Sequence, residues 1–284
     1  MLRKYVRPIA TVTVLVLTIF AFAHYFATHE NVRTQLRNTP FSTLALIFVL
    51  YLGTIAALGL VLIATLRLCK LKVEAGESLL VTAYSAVVNF FGPLQSGPAF
   101  RAVYLKKKYD LNLKKYAGAT LVYYFFYGAF SVVFLLSGVL KWWLVPLGVL
   151  AVLVTVVGRQ VAPVKKRLTG LDLHGWYFLA LATLLQVVLI ATIYYTELHS
   201  VMPDVSVSQA VIYTGAANLA MFVSITPGAI GFRESFLVFS RDLHHISNNV
   251  IVTANILDRA MYIIVLFALG LFIFSTHAKR QLDR

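Results

Sequence analysis

Long apolar runs separated by short basic clusters dominate this chain. Runs of some 20 or more apolar residues fall at about 6–28, 41–65, 116–139, 175–198 and 250–275, with a shorter one at 142–158. A helix rises about 1.5 Å per residue, so each long run can cross a hydrocarbon layer about 30 Å thick. The pattern predicts six spanning helices. The 142–158 run is short and needs Trp142, Trp143 and Arg159 to sit in the interfaces. The first run follows Arg3, Lys4 and Arg7 as a signal peptide would. It is long enough to span, and more spans come after it, so it reads as an uncleaved first helix.

Two further apolar stretches break before they can span. They are Asn89-Phe-Phe-Gly-Pro-Leu-Gln-Ser-Gly-Pro-Ala-Phe-Arg101 and Ser224-Ile-Thr-Pro-Gly-Ala-Ile-Gly-Phe-Arg-Glu-Ser235. Proline ends a helix by removing a donor, and the backbone it frees survives inside lipid only where protein or a watery cavity surrounds it. The arm Glu77–Phe91 reaches about 22 Å as a helix and Pro98–Leu105 about 12 Å, so neither crosses alone. These segments predict re-entrant hairpins over 77–105 and 207–240, with Pro93, Gly97, Pro227, Gly228 and Gly231 at the tips. At one common offset Pro93 falls on Pro227 and Gly97 on Gly231, with Ala83/Ala217 and Ala86/Ala220 also matching. Residues 41–139 then mirror residues 175–275 as an inverted repeat, the arrangement in which paired interrupted helices mark a midplane site. Val207–Ile225 is nearly long enough to span, and a spanning 207–225 would put the C-terminus outside. The repeat favours two hairpins.

The expected fold is an all-α integral membrane protein: one polytopic domain over 1–284, about six transmembrane helices and two re-entrant helical hairpins in an inverted-topology repeat. Composition agrees. Apolar residues make up 60% and charged residues 13% of the chain, against roughly 45–50% and about 25% in soluble domains. The net charge of +14 could suggest nucleic acid, but the basic residues lie in blocks between apolar runs, as in loops facing anionic headgroups. With the N-terminus inside, 19 of the 25 basic residues fall on the cytoplasmic side, including Arg67, Lys70, Lys72, Lys106–Lys108, Lys114 and Lys115. Both termini are then cytoplasmic, in the plasma (inner) membrane of a bacterium or archaeon. The single cysteine, Cys69, allows no internal disulfide and no metal cluster.

The charged residues inside apolar segments carry the candidate chemistry. A short arm after each break begins with free N–H groups and a positive helix end, a ready site for phosphate or carboxylate. Arg101 and Arg233 add permanent charge near those tips, and arginine grips phosphate bidentately. The candidate substrate-binding residues are Arg101, Arg233, Glu234, Asn89, Asp258 and Arg259. Each has a plainer reading. Arg101 can be an interfacial residue of the basic loop, and Arg233 and Glu234 can pair with Asp258 and Arg259 in a structural network. Asn89 and Asn218 read as helix–helix hydrogen bonders, and Glu77 as an N-terminal dipole partner. His174, His244 and His245 sit in loops without ligand spacing. The Tyr123-Tyr-Phe-Phe-Tyr127 run reads as a packed or lipid-facing helix face.

Asn89-x3-Pro93, Gly97, Arg101 and the following Leu105-Lys-Lys-Lys resemble the first half of the lysylphosphatidylglycerol-synthase transmembrane-region family. Thr226-Pro-Gly-Ala-Ile-Gly-Phe-Arg-Glu234 resembles its Pro-Gly-x-x-Gly-x-x-Glu signature, and Asp258-Arg259 the helix that follows. The resemblance covers roughly residues 40–275. This family includes the flippase-like domain of the multiple peptide resistance factors and stand-alone bacterial and archaeal relatives. The resemblance implies movement of an anionic or aminoacylated phospholipid, or a polyprenyl-phosphate-linked lipid, between leaflets. The soluble aminoacyl-transferase domain of the full-length synthases is missing from the sequence, so no synthase activity is expected.

Two alternatives stay open. Polyprenyl-diphosphate phosphatases also use paired re-entrant hairpins, and residues 227–235 superficially resemble their Pro-Gly-x-Ser-Arg-Ser loop. Against an enzyme, Glu74 and Glu77 are three apart rather than a Glu-x-x-x-Glu pair, and Ser235 beside Glu234 is thin support for a nucleophile and base. A carrier of a small soluble anion needs the same basic midplane site. The expected partners are membrane lipids and not nucleic acid, with no cofactor, metal or catalytic residue, and homo-oligomerisation is left open.

Overall fold

The computed structural model of the chain describes residues 37–91, 96–138, 173–223 and 232–282, with Glu30 and Thr34 besides. The expected helices 6–28 and 142–158 lie outside these residues, as do the turns carrying Pro93, Pro227, Gly228 and Gly231. Every described element is α-helical: α1 (Phe41–Leu68), α2 (Ala75–Phe91), α3 (Ser96–Tyr109), α4 (Leu113–Leu136), α5 (Leu173–Val201), α6 (Val207–Val223), α7 (Phe232–Phe239), α8 (Arg241–His244) and α9 (Asn248–Leu282). Of these, α1, α4, α5 and α9 are long and apolar enough to cross a membrane. Their bounds differ from the apolar runs by about a turn, because capping chemistry sets helix ends and hydropathy does not.

Three ends illustrate this. The α1 helix closes in a Schellman turn: Lys70 takes φ 59°, its N–H bonds Arg67 O at 2.8 Å, and Leu71 N–H bonds Leu66 O at 2.9 Å. The α4 helix starts three residues before its apolar run because Asn112 caps it, its side chain accepting from Lys115 N at 3.1 Å. At α6, Ser206 and Gln209 form a reciprocal capping box. Ser206 N donates to the Gln209 side chain at 2.9 Å, and Gln209 N donates to Ser206 Oγ at 3.2 Å.

The bundle is organised around α1 and α5, which run antiparallel. Gly53 lies against Leu189, and the Arg67 guanidinium sits over the Phe178 ring at 4.9 Å. One end of the bundle, where α1 finishes and α2 begins, therefore carries Arg67, Lys70, Lys72 and the Lys106–Lys108 run of α3. At the other end α5 finishes and α6 begins. The pair α2/α3 enters from the basic end and α6/α7 from the opposite end. At 17 residues each, α2 and α6 reach about 25 Å, short of a full crossing.

Small residues let these arms approach their neighbours closely. A side chain at Gly97 would meet Ser85 O at 2.9 Å, and one at Gly215 would meet Leu135 N at 2.3 Å and Ser131 O at 2.6 Å. The α2–α3 and α4–α6 backbones therefore touch. The inner ends of both arms meet spanning helices near mid-depth. Phe90 of α2 contacts Tyr262 of α9 at a centroid distance of 5.5 Å, and Phe222 of α6 contacts Tyr127 of α4 at 5.7 Å. The packing is also reciprocal between the halves. Contacts α1–α2, α2–α3, α2–α9 and α4–α5 have counterparts in α5–α6, α6–α7, α6–α4 and α9–α1.

Candidate functional site

Adjacent residues on a helix point about 100° apart, so Arg233 and Glu234 of α7 face different directions. The neighbours Asp258 and Arg259 of α9 meet them in opposite charge order. Arg233 pairs with Asp258, and Arg259 Nε donates to Glu234 Oε1 at 3.0 Å. The first pair is deeply buried, with Arg233 7% and Asp258 5% exposed. Tyr51 of α1 donates to the second Asp258 oxygen, and Arg233 Nη1 donates to Tyr194 OH of α5 at 3.2 Å. Four helices thus converge on one ion pair. Burying two charges is costly unless both are paired and hydrogen-bonded, which is what Tyr51 and Tyr194 supply. Of the two sequence readings of these four residues, the pairing network is the arrangement the structure contains.

The other hairpin is held differently. Ser96 Oγ donates to Val88 O at 3.0 Å, and Gly97 N donates to Asn89 Oδ1 at 3.2 Å. Asn89 therefore clamps the hairpin and caps α3. The start of α3 is a poorer anion cradle than the sequence implies, because Asn89 occupies the Gly97 amide and Pro98 has no amide hydrogen. Arg101 bridges the two arms, its Nε donating to Ser85 Oγ at 2.7 Å. It lies inside the bundle and not in the basic loop. At the hairpin mouth Glu77 accepts from Tyr104 OH at 2.8 Å and from Lys108 and Tyr109. It ties α2 to the end of α3, a larger role than that of a dipole partner. Burial alone would raise the Glu77 carboxyl, but the hydrogen bonds from Lys108, Tyr109 and Tyr104 outweigh it and hold the group below the usual range.

Between these two constellations lies a cavity of ≈ 250 Å³, to which α1–α7 and α9 contribute. Arg101, Arg233, Asp258, Arg259 and Asn89 all line it, and Glu234 reaches it through Arg259. Drug-sized ligands occupy about 300–1,000 Å³, so this space suits a headgroup and not a whole lipid. The tyrosines at 123, 124 and 127 line the same cavity, which corrects their reading as a merely packed or lipid-facing face. Only Phe125 in that run faces outward, at 63% exposed. Tyr123 OH donates to the Gln186 side chain at 3.2 Å.

Sequence reasoning passed over Gln186 and Glu197, polar residues inside the 175–198 apolar run, where polarity at membrane depth is itself a signal. Glu197 is 1% exposed, and neither carboxylate oxygen has a hydrogen-bond partner among the described residues. Asn218 is buried, and its Nδ2 likewise has no partner there, so the amide N–H does not make the helix–helix hydrogen bond its position suggested. His244 is buried rather than set in an open loop. Its ring bonds Leu237 O at 3.0 Å and Ile246 N at 3.1 Å, and burial pushes the imidazole down in pKa. Among the described residues no cluster of His, Cys, Asp and Glu is arranged to hold a metal.

The comparison with curated proteins returns no match. Residues 9–270 match the family model described as the lysylphosphatidylglycerol synthase transmembrane region. Nearly the whole described bundle, including both hairpins and the cavity, falls in that match. The chain belongs to this family of multi-pass membrane domains associated with lipid-flippase-like function.

Proposed function

We propose that the protein moves a phosphate-bearing lipid between leaflets, sheltering the headgroup in the central cavity while the tails stay in the bilayer. The observation that carries this reading is the cavity itself. It lies where two arms entering from opposite ends stop short, and both halves contribute its charged residues. In this reading the halves form an inverted repeat, supported by their reciprocal packing. Rocking of one half against the other then opens the headgroup site to each leaflet in turn. The basic end faces the cytoplasm of a bacterial or archaeal cell, as the lysine and arginine distribution favours.

Transport fits the site better than hydrolysis of a phosphate ester. Glu234 is engaged by Arg259, and Ser235 is exposed, so the pair that would have to act as base and nucleophile points two ways. The test is leaflet exchange in proteoliposomes. Purified protein should speed exchange of an anionic phospholipid or polyprenyl phosphate and release no phosphate from polyprenyl diphosphate. Phosphate release without exchange of any lipid would overturn the proposal in favour of an enzyme. Orientation is checked separately with single cysteines at Lys107 and Asp242. They should label from opposite faces, Lys107 from the cytoplasm, and labelling of both from one face would remove the inverted repeat.

A further inference from the structure

The charges around the cavity are not equivalent. Arg233 is matched by Asp258 and Arg259 by Glu234. Both cavity-side carboxylates are therefore already engaged by guanidinium groups, one of them buried with two further hydroxyl partners. Arg101 is arranged otherwise. Its Nε is fixed by the neutral Ser85 hydroxyl, and among the described residues no carboxylate pairs with it. Its two terminal nitrogens have no protein partner there, although it lines the cavity. A guanidinium fixed through Nε presents its outer edge, the two-pronged face that fits a phosphate or carboxylate.

The surroundings of Arg101 match an anion. Tyr116, Tyr123 and Tyr124 on α4 and Tyr262 on α9 line the cavity with it. The hydroxyls of Tyr116 and Tyr262 can donate to phosphate oxygens, and that of Tyr123 can do so in exchange for its bond to Gln186. An aromatic cage for an ammonium group would need open ring faces. Here Tyr123 packs on Tyr124 and Tyr127 at 5.0 and 5.9 Å, and Phe222 packs on Tyr124 and Tyr127 at 5.9 and 5.7 Å. These contacts are tilted or edge-on, at 40–68° between ring planes, so each ring is already engaged by an aromatic neighbour.

We infer that Arg101 is the headgroup-contacting cation of this cavity, and that the headgroup it selects is a phosphate carrying net negative charge, not a cationic aminoacylated one. This rests on the transport reading and narrows it. Asp258, the acid among the residues lining the cavity, is taken by Arg233, and the unpartnered Glu197 is not among them, so a lysyl headgroup would find no free carboxylate in the lining and would meet the uncompensated positive charge of Arg101. The Arg233 network serves as scaffold.

The experiment compares wild type, Arg101→Gln, Arg101→Lys and Ser85→Ala in proteoliposomes. The labelled lipids are phosphatidylglycerol, phosphatidylcholine and lysyl-phosphatidylglycerol, and melting temperatures are measured in parallel with and without short-chain phosphatidylglycerol or inorganic phosphate. Wild type should exchange phosphatidylglycerol at least tenfold faster than the lysyl lipid. Losing a charged hydrogen bond corresponds to a loss on the order of 10–100-fold in Arg101→Gln, with Arg101→Lys recovering part. Ser85→Ala keeps the charge but frees the side chain, and should weaken apparent affinity more than maximal rate. Stabilisation by short-chain lipid but not by inorganic phosphate identifies the lipid headgroup as the source, and the reverse identifies a soluble anion. If no lipid is exchanged yet an anion stabilises wild type and not Arg101→Gln, the site assignment stands and the transport reading falls. Faster exchange of the lysyl lipid, an active Arg101→Gln protein, or no stabilisation by either anion together with no exchange would each overturn the inference.

Discussion

Replacing Arg233 by alanine separates scaffold from binding site. The substitution removes the guanidinium but leaves Asp258, which is 5% exposed and, among the described residues, keeps only Tyr51 as a donor. Breaking a buried ion pair from one side costs about 3–5 kcal/mol, because the remaining charge is stranded. At roughly 2–4 °C per kcal/mol for a chain of this order of size, the melting temperature should fall by on the order of 10 °C. Removing both charges should hurt far less. Arg233→Met with Asp258→Leu places apolar groups where the pair sat, and such replacements are often neutral to stability. The double-mutant cycle should therefore give a coupling of several kcal/mol between 233 and 258.

The assay is thermal unfolding in detergent of wild type, both single variants and the double variant, with leaflet exchange measured on whichever variants stay folded. Arg233→Ala should unfold early, and the double variant should recover most of the loss and retain exchange. A folded Arg233→Ala protein with wild-type melting and no exchange would refute this reasoning and return Arg233 to the ligand site.

Three further outcomes follow from the packing. Gly215→Val should lower the melting temperature markedly, since its Cβ would lie 2.3 Å from Leu135 N on a helix backbone that cannot step aside; overpacking of this kind costs about 1–3 kcal/mol, and an unchanged melting temperature would mean that α4 and α6 are not in contact. Glu77, outside the spanning helices, has a carboxyl held below its usual value, so its contribution is present above the ordinary glutamate range near 4.3 and is lost as pH falls through the lower folded value. Lys108, raised chiefly by its hydrogen bond to Glu77, keeps its part until pH rises through its own raised value. Glu77→Gln should flatten the acid limb of the stability–pH curve by a few tenths to about 1 kcal/mol, as befits a pair whose lysine is 45% exposed. An acid limb unchanged in that variant would mean that the latch is absent. Glu197→Gln keeps the shape of a buried side chain whose carboxylate has no donor among the described residues, so melting should hold or rise; a fall of several degrees would reveal a partner for the carboxylate.

The sequence made the architecture legible because hydrophobic length and proline–glycine breaks act through the membrane, a solvent that tolerates few alternatives. The 41–65, 116–139, 175–198 and 250–275 runs each correspond to a long apolar helix. The short arms 77–91 and 207–223 were legible as too short to cross, or nearly so. What pattern could not supply was azimuth. Whether Tyr123, Tyr124 and Tyr127 face lipid or a cavity depends on how α4 is rotated. The close approach of α6 through Gly215, a contact between residues far apart in sequence, fixes that rotation.

Charge pairing was hidden for the same reason. Arg101 and Arg233 occupy similar places in similar motifs, each shortly after a tip glycine, and hydropathy ranks them alike. Their difference comes from what the partner helix presents. A carboxylate on α9 meets Arg233, whereas only the hydroxyl of Ser85 meets Arg101. A motif can place a cation at membrane depth, but the facing helix decides whether that charge is spent on the fold or left for a ligand. Where two hairpins line one cavity that decision can differ between them, so similar motifs need not give the same chemistry. One hairpin is anchored by an internal ion pair while the other leaves its guanidinium facing the cavity, which places the uncompensated charge on the side that enters from the basic end.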